Sequence, residues 1–347
     1  MLVTGGAGFV GARLARTLLA RGTLDGRAIA ELVIADQVSP PGDLAADARV
    51  QVRTGPLMAQ AAALGGEGFD AIFHLASAVS GECEADFDLG LRSNLDSTRA
   101  LLDALRGRTL AGHPPAKLVF SSSVAVYGPE PCRPWPDAVS DDTVPTPQTS
   151  YGTHKLVCEH LIADWTRKGF VDGRSARLMT VTVRPGRPNG AASSFFSAIV
   201  REPLRGEEAI CPVDDTVSHP ITSVRATVQG LIAVAEAPRE ALGGRSGINL
   251  PALNITVRQM LDALEAVAGP QARARVRFVR DERIAGIVAG WPKGATAERA
   301  AALGLKPEPD FETIVRQYIA DHPDALQGPG PVGATVRREP SHGVNRT

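Results

Sequence analysis

A strand, a glycine-rich turn and a helix fill residues 2–22, and this unit constrains the fold more than any other part of the chain. Leu2–Thr4 reads as the end of a strand, and Gly5, Gly6, Gly8 and Gly11 punctuate the turn after it. Val10, Leu14 and Leu18 then recur at helical spacing until Gly22 closes the helix. The alternation continues. Glu31–Asp36 (ELVIAD), Val50–Arg53, Phe69–Ala76 (FDAIFHLA), Lys117–Ser122 (KLVFSS) and Leu178–Arg184 (LMTVTVR) read as strands, with helices at Asp86–Leu105 and Tyr151–Lys168 among them. Strands separated by helical patterns predict βαβ units and a doubly wound parallel sheet, an α/β fold. The first strand is short for a buried one: either the true start lies upstream or a central strand is trimmed.

Past Arg184 the alternation breaks at Pro185 and Pro188. Ser194–Val200, Val224–Ala235 and Val257–Val267 read as helices and Arg275–Val279 as a strand. The expected division is residues 1–184 as the first domain and 185–325 as a smaller α/β lobe whose chain interleaves with it. Residues 326–347, rich in Gly, Pro and polar side chains, are expected to form a disordered tail.

A chain of 347 residues with 44% hydrophobic and 22% charged residues can bury a sizeable core without covalent staples. Its formal net charge of −1, with no Lys/Arg run, supplies no field for nucleic acid or an anionic membrane. No apolar stretch reaches the ~20 residues that span a bilayer, and the start Met-Leu-Val-Thr-Gly-Gly carries no signal-peptide core. The expectation is a soluble, cytoplasmic protein that acts on a small molecule. Cys83, Cys132, Cys158 and Cys211 have no Cys-x-x-Cys partner and the histidines show no ligand spacing, so neither a disulfide framework nor a metal is expected.

The chemistry gathers at three places. In the first turn, glycine at 5 permits a tight bend, glycine at 8 lets a pyrophosphate reach the backbone, and Gly11 lets the helix pack closely on the strand. Phe9 and Val10 open the helix, whose N-terminal N–H groups suit phosphate. Asp36 ends the second strand, where a carboxylate accepts both hydroxyls of an adenosine ribose and repels the 2′-phosphate of NADP; Gln37, not an arginine, follows it. NAD is the predicted cofactor. Tyr151-Gly-Thr-His-Lys155 then places a phenol and an ammonium at i and i+4 on one helix face, with Ser123 at the end of the preceding strand. Lys155 and a nearby nicotinamide cation would favour phenolate, and moving a tyrosine from about 10 to about 7 takes about 4 kcal/mol. Such a tyrosine takes a proton from an alcohol as hydride leaves the carbon, while Ser123 donates to the developing oxygen. With three tyrosines in the whole chain, chance is a poor explanation of this spacing beside the serine and the glycine loop.

Together the glycine loop, His74-Leu75-Ala76-Ser77, Asn94, Ser121-Ser122-Ser123-Val-Ala-Val-Tyr127-Gly128 and the Tyr151/Lys155 pair resemble the extended short-chain dehydrogenase/reductase family over residues 1–325. The resemblance implies a Rossmann domain with a C-terminal substrate lobe, and a homodimer formed through the two long helices near Asp86 and Tyr151. By position it makes Tyr151 the acid/base, Lys155 its partner and a nicotinamide-ribose ligand, and Ser123 the aligning hydroxyl. Asn94 would support a water relay behind Lys155, and Ala76 and Ser77 would border the cofactor. One departure is Gly55-Pro56-Leu57, where family members often carry an acid against adenine; the Leu57 amide and apolar packing are left to hold it. The short first strand is the other.

Relatives that act on nucleotide sugars tend to carry an Arg-Asp-aromatic run leading to an acidic pair. Val217–Arg225 (VSHPITSVR) has neither, which favours a small polar substrate. The segment from Arg184 through Asn189 to Ser197, followed by Arg201-Glu-Pro-Leu204, resembles the branch of the family that oxidises D-erythronate, a four-carbon sugar acid, at C2. Ser80 and Asn189 are the candidate substrate ligands, with Arg184, Arg187, His219 and Arg225 as further candidate donors to its carboxylate and hydroxyls. Two alternatives stay open: a nucleotide-sugar epimerase or dehydratase that holds NAD tightly, and a non-catalytic NAD(H)-responsive regulator. Intact Ser123, Tyr151 and Lys155 argue against the regulator.

Overall fold

The structure, a computed structural model of the chain, describes residues 1–186 and 191–323. The main sheet uses β1 (Leu2–Thr4), β2 (Leu32–Asp36), β3 (Val50–Thr54), β4 (Ala71–His74), β5 (Lys117–Ser123) and β6 (Asp172–Leu178). Two further strands, β7 (Thr180–Val181) and β8 (Ser218–Thr222), pair with each other in a smaller sheet before β9 (Ile248–Asn249) returns to the main one. The seven-stranded order is β3-β2-β1-β4-β5-β6-β9, parallel at each pairing. This is the doubly wound α/β architecture predicted. Although only three residues long, β1 is paired on both sides, with Leu2 opposite Val33 and Ile72.

Alternating side chains supply the two faces. Val3, Leu32, Ile34, Phe73 and Val119 face a layer built from α1 (Phe9–Arg21) and α7 (Val224–Glu236). Leu2, Val33, Ile72, Leu118 and Phe120 face the other layer, from α2 (Leu57–Gly66), α4 (Ser97–Leu110) and α5 (Ser150–Arg167). Between β4 and α4 lie α3 (Ser80–Ala85), a short turn of helix at Phe87–Gly90, and a π-helical stretch at Leu91–Asp96 that carries Asn94. A separate apolar core joins α6 (Ser194–Leu204), α8 (Val257–Ala268) and α9 (Phe311–Asp321) to β8 and β10 (Leu253–Thr256), which pair antiparallel. The chain thus recrosses: α7 and β9 lie with the main sheet although they follow α6 in sequence. Asn189, Arg187 and residues 326–347 lie outside the described residues. Among those described, no helix is long and apolar enough to cross a membrane.

One strand differs from expectation. Leu178–Arg184 reads as the sixth strand, but that place belongs to Asp172–Leu178 (DGRSARL); of the expected segment Leu178 ends that strand and Thr180–Val181 form strand in the smaller sheet. A hydropathy reading passes over a strand with an aspartate and two arginines. Here both arginines are buried and satisfied internally. Arg174 Nη1 donates to the carbonyls of Val234, Ala235 and Ala237 at 2.6–2.7 Å, closing the C-terminus of α7. Arg177 pairs with Glu159 of α5.

Candidate active site

The turn between β1 and α1 needs glycine for space as well as conformation. Gly5 has φ +70°, and a Cβ there would lie 2.7 Å from Ala76 N. A Cβ at Gly11 would lie 2.1 Å from Gly5 O, so α1 packs on the loop backbone itself. Gly8 is exposed and precedes a helix with no side-chain cap and no acid in its first turn, which leaves the N–H groups of Phe9 and Val10 for an anion. Asp36 Oδ2 accepts the Ala7 N–H at 2.9 Å and Oδ1 the Gln37 N–H at 2.6 Å, which fixes the carboxylate beside the loop. At the neighbouring strand end, Leu57 opens α2 behind Pro56 and packs its side chain on the apolar layer. The sequence reading missed Gln60: its Nε2 is buried without a hydrogen-bond partner and lies 3.0 Å from where a Gly55 Cβ would be. A backbone cradle, an uncapped helix start, a fixed carboxylate and an orphan amide fit a dinucleotide with a free 2′-hydroxyl. Ala76 N–H donates to Thr4 Oγ1 at 3.3 Å and Ser77 Oγ to Ala78 O at 3.0 Å, so both residues lie where β4 ends against this loop.

At the end of β5, Ser123 Oγ accepts the Ala125 N–H at 3.1 Å and lies close enough to the Tyr151 phenol to oppose the effect of burial on it. The close approach of α5 to this turn explains the residue after Tyr151: a Cβ on Gly152 would lie 2.1 Å from Ala125 O. Thr149 caps the helix through Gly152 N–H at 3.0 Å, and Glu84 of α3 accepts the Ser150 N–H at 2.8 Å. Lys155 is buried one turn on, with Nζ donating to Ser121 O at 2.8 Å and lying 5.5 Å from the Tyr151 ring centroid.

Burial dominates the electrostatics of the chain's own groups. Burial pushes Tyr151 up to about 12, against the opposing effect of the nearby Ser123 hydroxyl, and burial brings Lys155 down to about 8. The lysine meets the ring face rather than the phenol oxygen, so the protein's own groups keep the tyrosine protonated at neutral pH. Asn94 engages the loop that follows β4. Its Oδ1 accepts the Ala78 N–H at 2.7 Å and its Nδ2 donates to Ala78 O at 3.2 Å, so the side chain fastens the loop after β4, while Lys155 bonds the Ser121 carbonyl.

The model of the NAD dependent epimerase/dehydratase family matches residues 1–250. The chain belongs to that family. Its cofactor is NAD. Within the family's range of relatives, the chain is 48% identical to D-erythronate dehydrogenase of Cupriavidus necator, over 92% of this chain and 98% of that one. It is 41% identical to D-erythronate dehydrogenase of Haemophilus influenzae over the same shares. A solved structure described as the nucleoside-diphosphate-sugar epimerase from Agrobacterium tumefaciens superposes with a TM-score of 0.88 at 40% identity, covering 93% of this chain and 94% of that one.

Members of an epimerase/dehydratase family share the dinucleotide site and differ in what holds the substrate, and here the candidates separate sharply. His219 is enclosed: Nδ1 lies 2.9 Å from Pro292 O, Nε2 2.7 Å from Thr180 Oγ1, and the ring stacks on Phe196. Arg225 is paired with Asp321. Neither is available to a carboxylate. Arg184 differs. It is half-buried, donates its backbone N–H to Ser197 Oγ at 3.0 Å, and its guanidinium has no ion pair or hydrogen bond among the described residues. Burial lowers its pKa, Arg201 adds to that, and Glu82 of α3 opposes it, which places the side chain within electrostatic reach of α3. Ser80 begins that same helix, half-buried and with no side-chain hydrogen bond among the described residues. No group of three or more His, Cys, Asp or Glu side chains gathers as a metal site among the described residues.

Proposed function

We propose that the protein oxidises the C2 hydroxyl of D-erythronate to the 2-oxo acid with NAD. The observation that carries this reading is the Ser123–Tyr151–Lys155 arrangement in a chain alike over nearly its whole length to two D-erythronate dehydrogenases. Gly5, Gly8, Phe9, Val10 and Gly11 receive the pyrophosphate, Asp36 the adenosine ribose, and Leu57 with Gln60 the adenine. Ala76 and Ser77 border the nicotinamide end. Bound NAD supplies the hydride acceptor and a positive charge near the phenol. Tyr151 takes the proton of the C2 hydroxyl, Ser123 donates to that oxygen and holds it in line, and Lys155 keeps a cation under the phenol ring. Arg184 receives the carboxylate, the one charge a sugar acid carries, and Ser80 and Asn189 receive its hydroxyls. Asn94 acts behind these groups by holding the loop at Ala78. The reading includes a cytoplasmic location and a homodimer through the helices of Phe87–Leu110 and Ser150–Arg167, whose Phe87 and Val157 are exposed.

The test is NADH formation from NAD with D-erythronate, beside L-threonate, D-threonate and UDP-glucose, and with NADP in parallel. NAD-dependent turnover of D-erythronate well above the threonates is the expected result. Conversion of UDP-glucose without net NADH, and silence with the acids, would reassign the protein to the sugar-nucleotide epimerases, to which one of its structural relatives is assigned by name.

A further inference from the structure

His74 closes β4 with no exposed surface, and the chemistry proposed above makes no use of it. Both ring nitrogens are engaged: Nδ1 lies 2.7 Å from Thr4 Oγ1 and Nε2 lies 2.9 Å from Thr98 Oγ1. Neighbouring bonds decide which way the protons run. The Thr98 hydroxyl donates to the Asn94 carbonyl at 2.6 Å, so toward the imidazole it can only accept, and Nε2 carries the hydrogen. Nδ1 therefore accepts from the Thr4 hydroxyl, whose oxygen in turn accepts the Ala76 N–H at 3.3 Å. Burial, aided by the charge on Lys155, pushes His74 down to about 3, so this neutral tautomer persists at any working pH.

The chain of bonds closes on itself. Asn94, which receives the Thr98 proton at its carbonyl, grips both backbone groups of Ala78 with its side chain. A circuit therefore runs from Ala76 through Thr4, His74, Thr98 and Asn94 to Ala78, and it spans β1, β4 and the helical segment Leu91–Leu110. Ala76, where the circuit begins, is packed against Gly5, and not even a Cβ fits there beside Ala76 N. Removing the imidazole leaves two buried hydroxyls with nothing between them, and the segment 76–78 loses the element that sets its height above the loop.

We propose that His74 is a positioning residue for the dinucleotide: through this hydrogen-bonded circuit it holds residues 76–78 at the distance from the glycine loop that NAD binding requires. The proposal rests on reading that loop as the NAD site. It assigns His74 no proton transfer and no contact with substrate.

NADH fluorescence titration of the full chain tests it, together with the KM for NAD and for D-erythronate. His74→Leu is expected to weaken NADH about tenfold or more and to raise the KM for NAD in step, with the KM for the hydroxy acid within about twofold of the parent. His74→Gln supplies an amide donor toward Thr98 and an acceptor toward Thr4, and is expected to bind NADH within about threefold of the parent. Thr4→Val should weaken NADH while Thr4→Ser should not. Parental NADH affinity in folded His74→Leu, or equal weakening by Leu and Gln, would overturn the proposal. If His74→Leu does not fold, equal affinities for the two Thr4 variants would do the same. Because NADH binding is read without substrate, a failure of D-erythronate as substrate leaves this test intact.

Discussion

Removing one partner of the buried Glu159–Arg177 pair should destabilise the protein far more than removing both. The two side chains are each 4% exposed. Arg177 Nη2 donates to Glu159 Oε2 at 2.7 Å and Nε to Oε1 at 2.9 Å, while Nη1 donates to the Tyr127 hydroxyl at 2.6 Å. Ser122 donates to the same carboxylate, and a Cβ on Gly247 would lie 2.7 Å from Glu159 Cδ, so the pair is closely packed on its Gly247 side. In Arg177→Met or Glu159→Leu an uncompensated charge stays buried, which costs about 3–5 kcal/mol. In the double variant no charge remains, two apolar side chains fill the space, and the expected cost is about 2 kcal/mol or less. Urea unfolding at neutral pH measures this. With a slope of about 3 kcal/mol/M, each single variant lowers the midpoint by about 1 M or more, and the double variant recovers most of the shift. Single costs that sum to the double within about 0.5 kcal/mol would refute the reasoning, because they would show that neither charge depends on the other.

Other consequences are open to direct measurement. Tyr151→Phe is expected to lower kcat about a thousandfold with NADH binding retained, and near-parental turnover would remove the phenol from the mechanism. Because Tyr151 is held up to about 12, its proton is retained through neutral pH. Oxidation should therefore accelerate as pH rises from about 6 to about 7.5, below the value of about 8 at which Lys155 loses its charge, while reduction of the 2-oxo acid stays flat over that range, and initial rates in both directions check the sign. Arg184→Leu should raise the KM for the hydroxy acid about a hundredfold and leave NADH affinity unchanged, with Arg184→Lys intermediate; an unchanged KM would place the carboxylate elsewhere. His219, brought down to about 4 by burial, contributes stability that is complete above the ordinary value of 6.5 and is lost as pH falls toward 4. Between pH 6.5 and 5 that loss is about 2 kcal/mol, and His219→Gln should lack it in urea midpoints compared at the two pH values.

What the sequence made legible is local. The loop at Gly5–Gly11, Asp36 at a strand end, and Tyr151/Lys155 on one helix face are recognisable because each depends on a few neighbouring residues and a known period. The same locality explains why Gly152 reads only as part of a motif: its reason is the Ala125 carbonyl across the turn, a contact with no trace in spacing. The strand β6 escapes a hydropathy reading because hydropathy counts an arginine as polar wherever it lies, whereas Arg174 and Arg177 are buried against carbonyls and a carboxylate that come from distant segments. The candidates for the substrate carboxylate, ambiguous in sequence, separate once partners are known. His219 is consumed by Pro292 and Thr180 and Arg225 by Asp321, while Arg184 has no counter-ion among the described residues.

Partner accounting also explains the tyrosine. A lysine at i+4 predicts a lowered pKa only if its charge reaches the phenol oxygen more strongly than burial penalises the phenolate. Here Lys155 spends its hydrogen bond on Ser121 O and presents its charge to the ring faces of Phe120 and Tyr151, at 4.7 Å and 5.5 Å from their centroids. Burial wins at both residues, raising the acid and lowering the base. The free protein therefore holds a neutral phenol that is poor as a base. A cation arriving beside it changes the balance in the direction that oxidation needs, which couples proton removal to an occupied dinucleotide site. In the proposed mechanism, the order of events would then follow from electrostatics: the substrate's proton would become removable once NAD occupied its site.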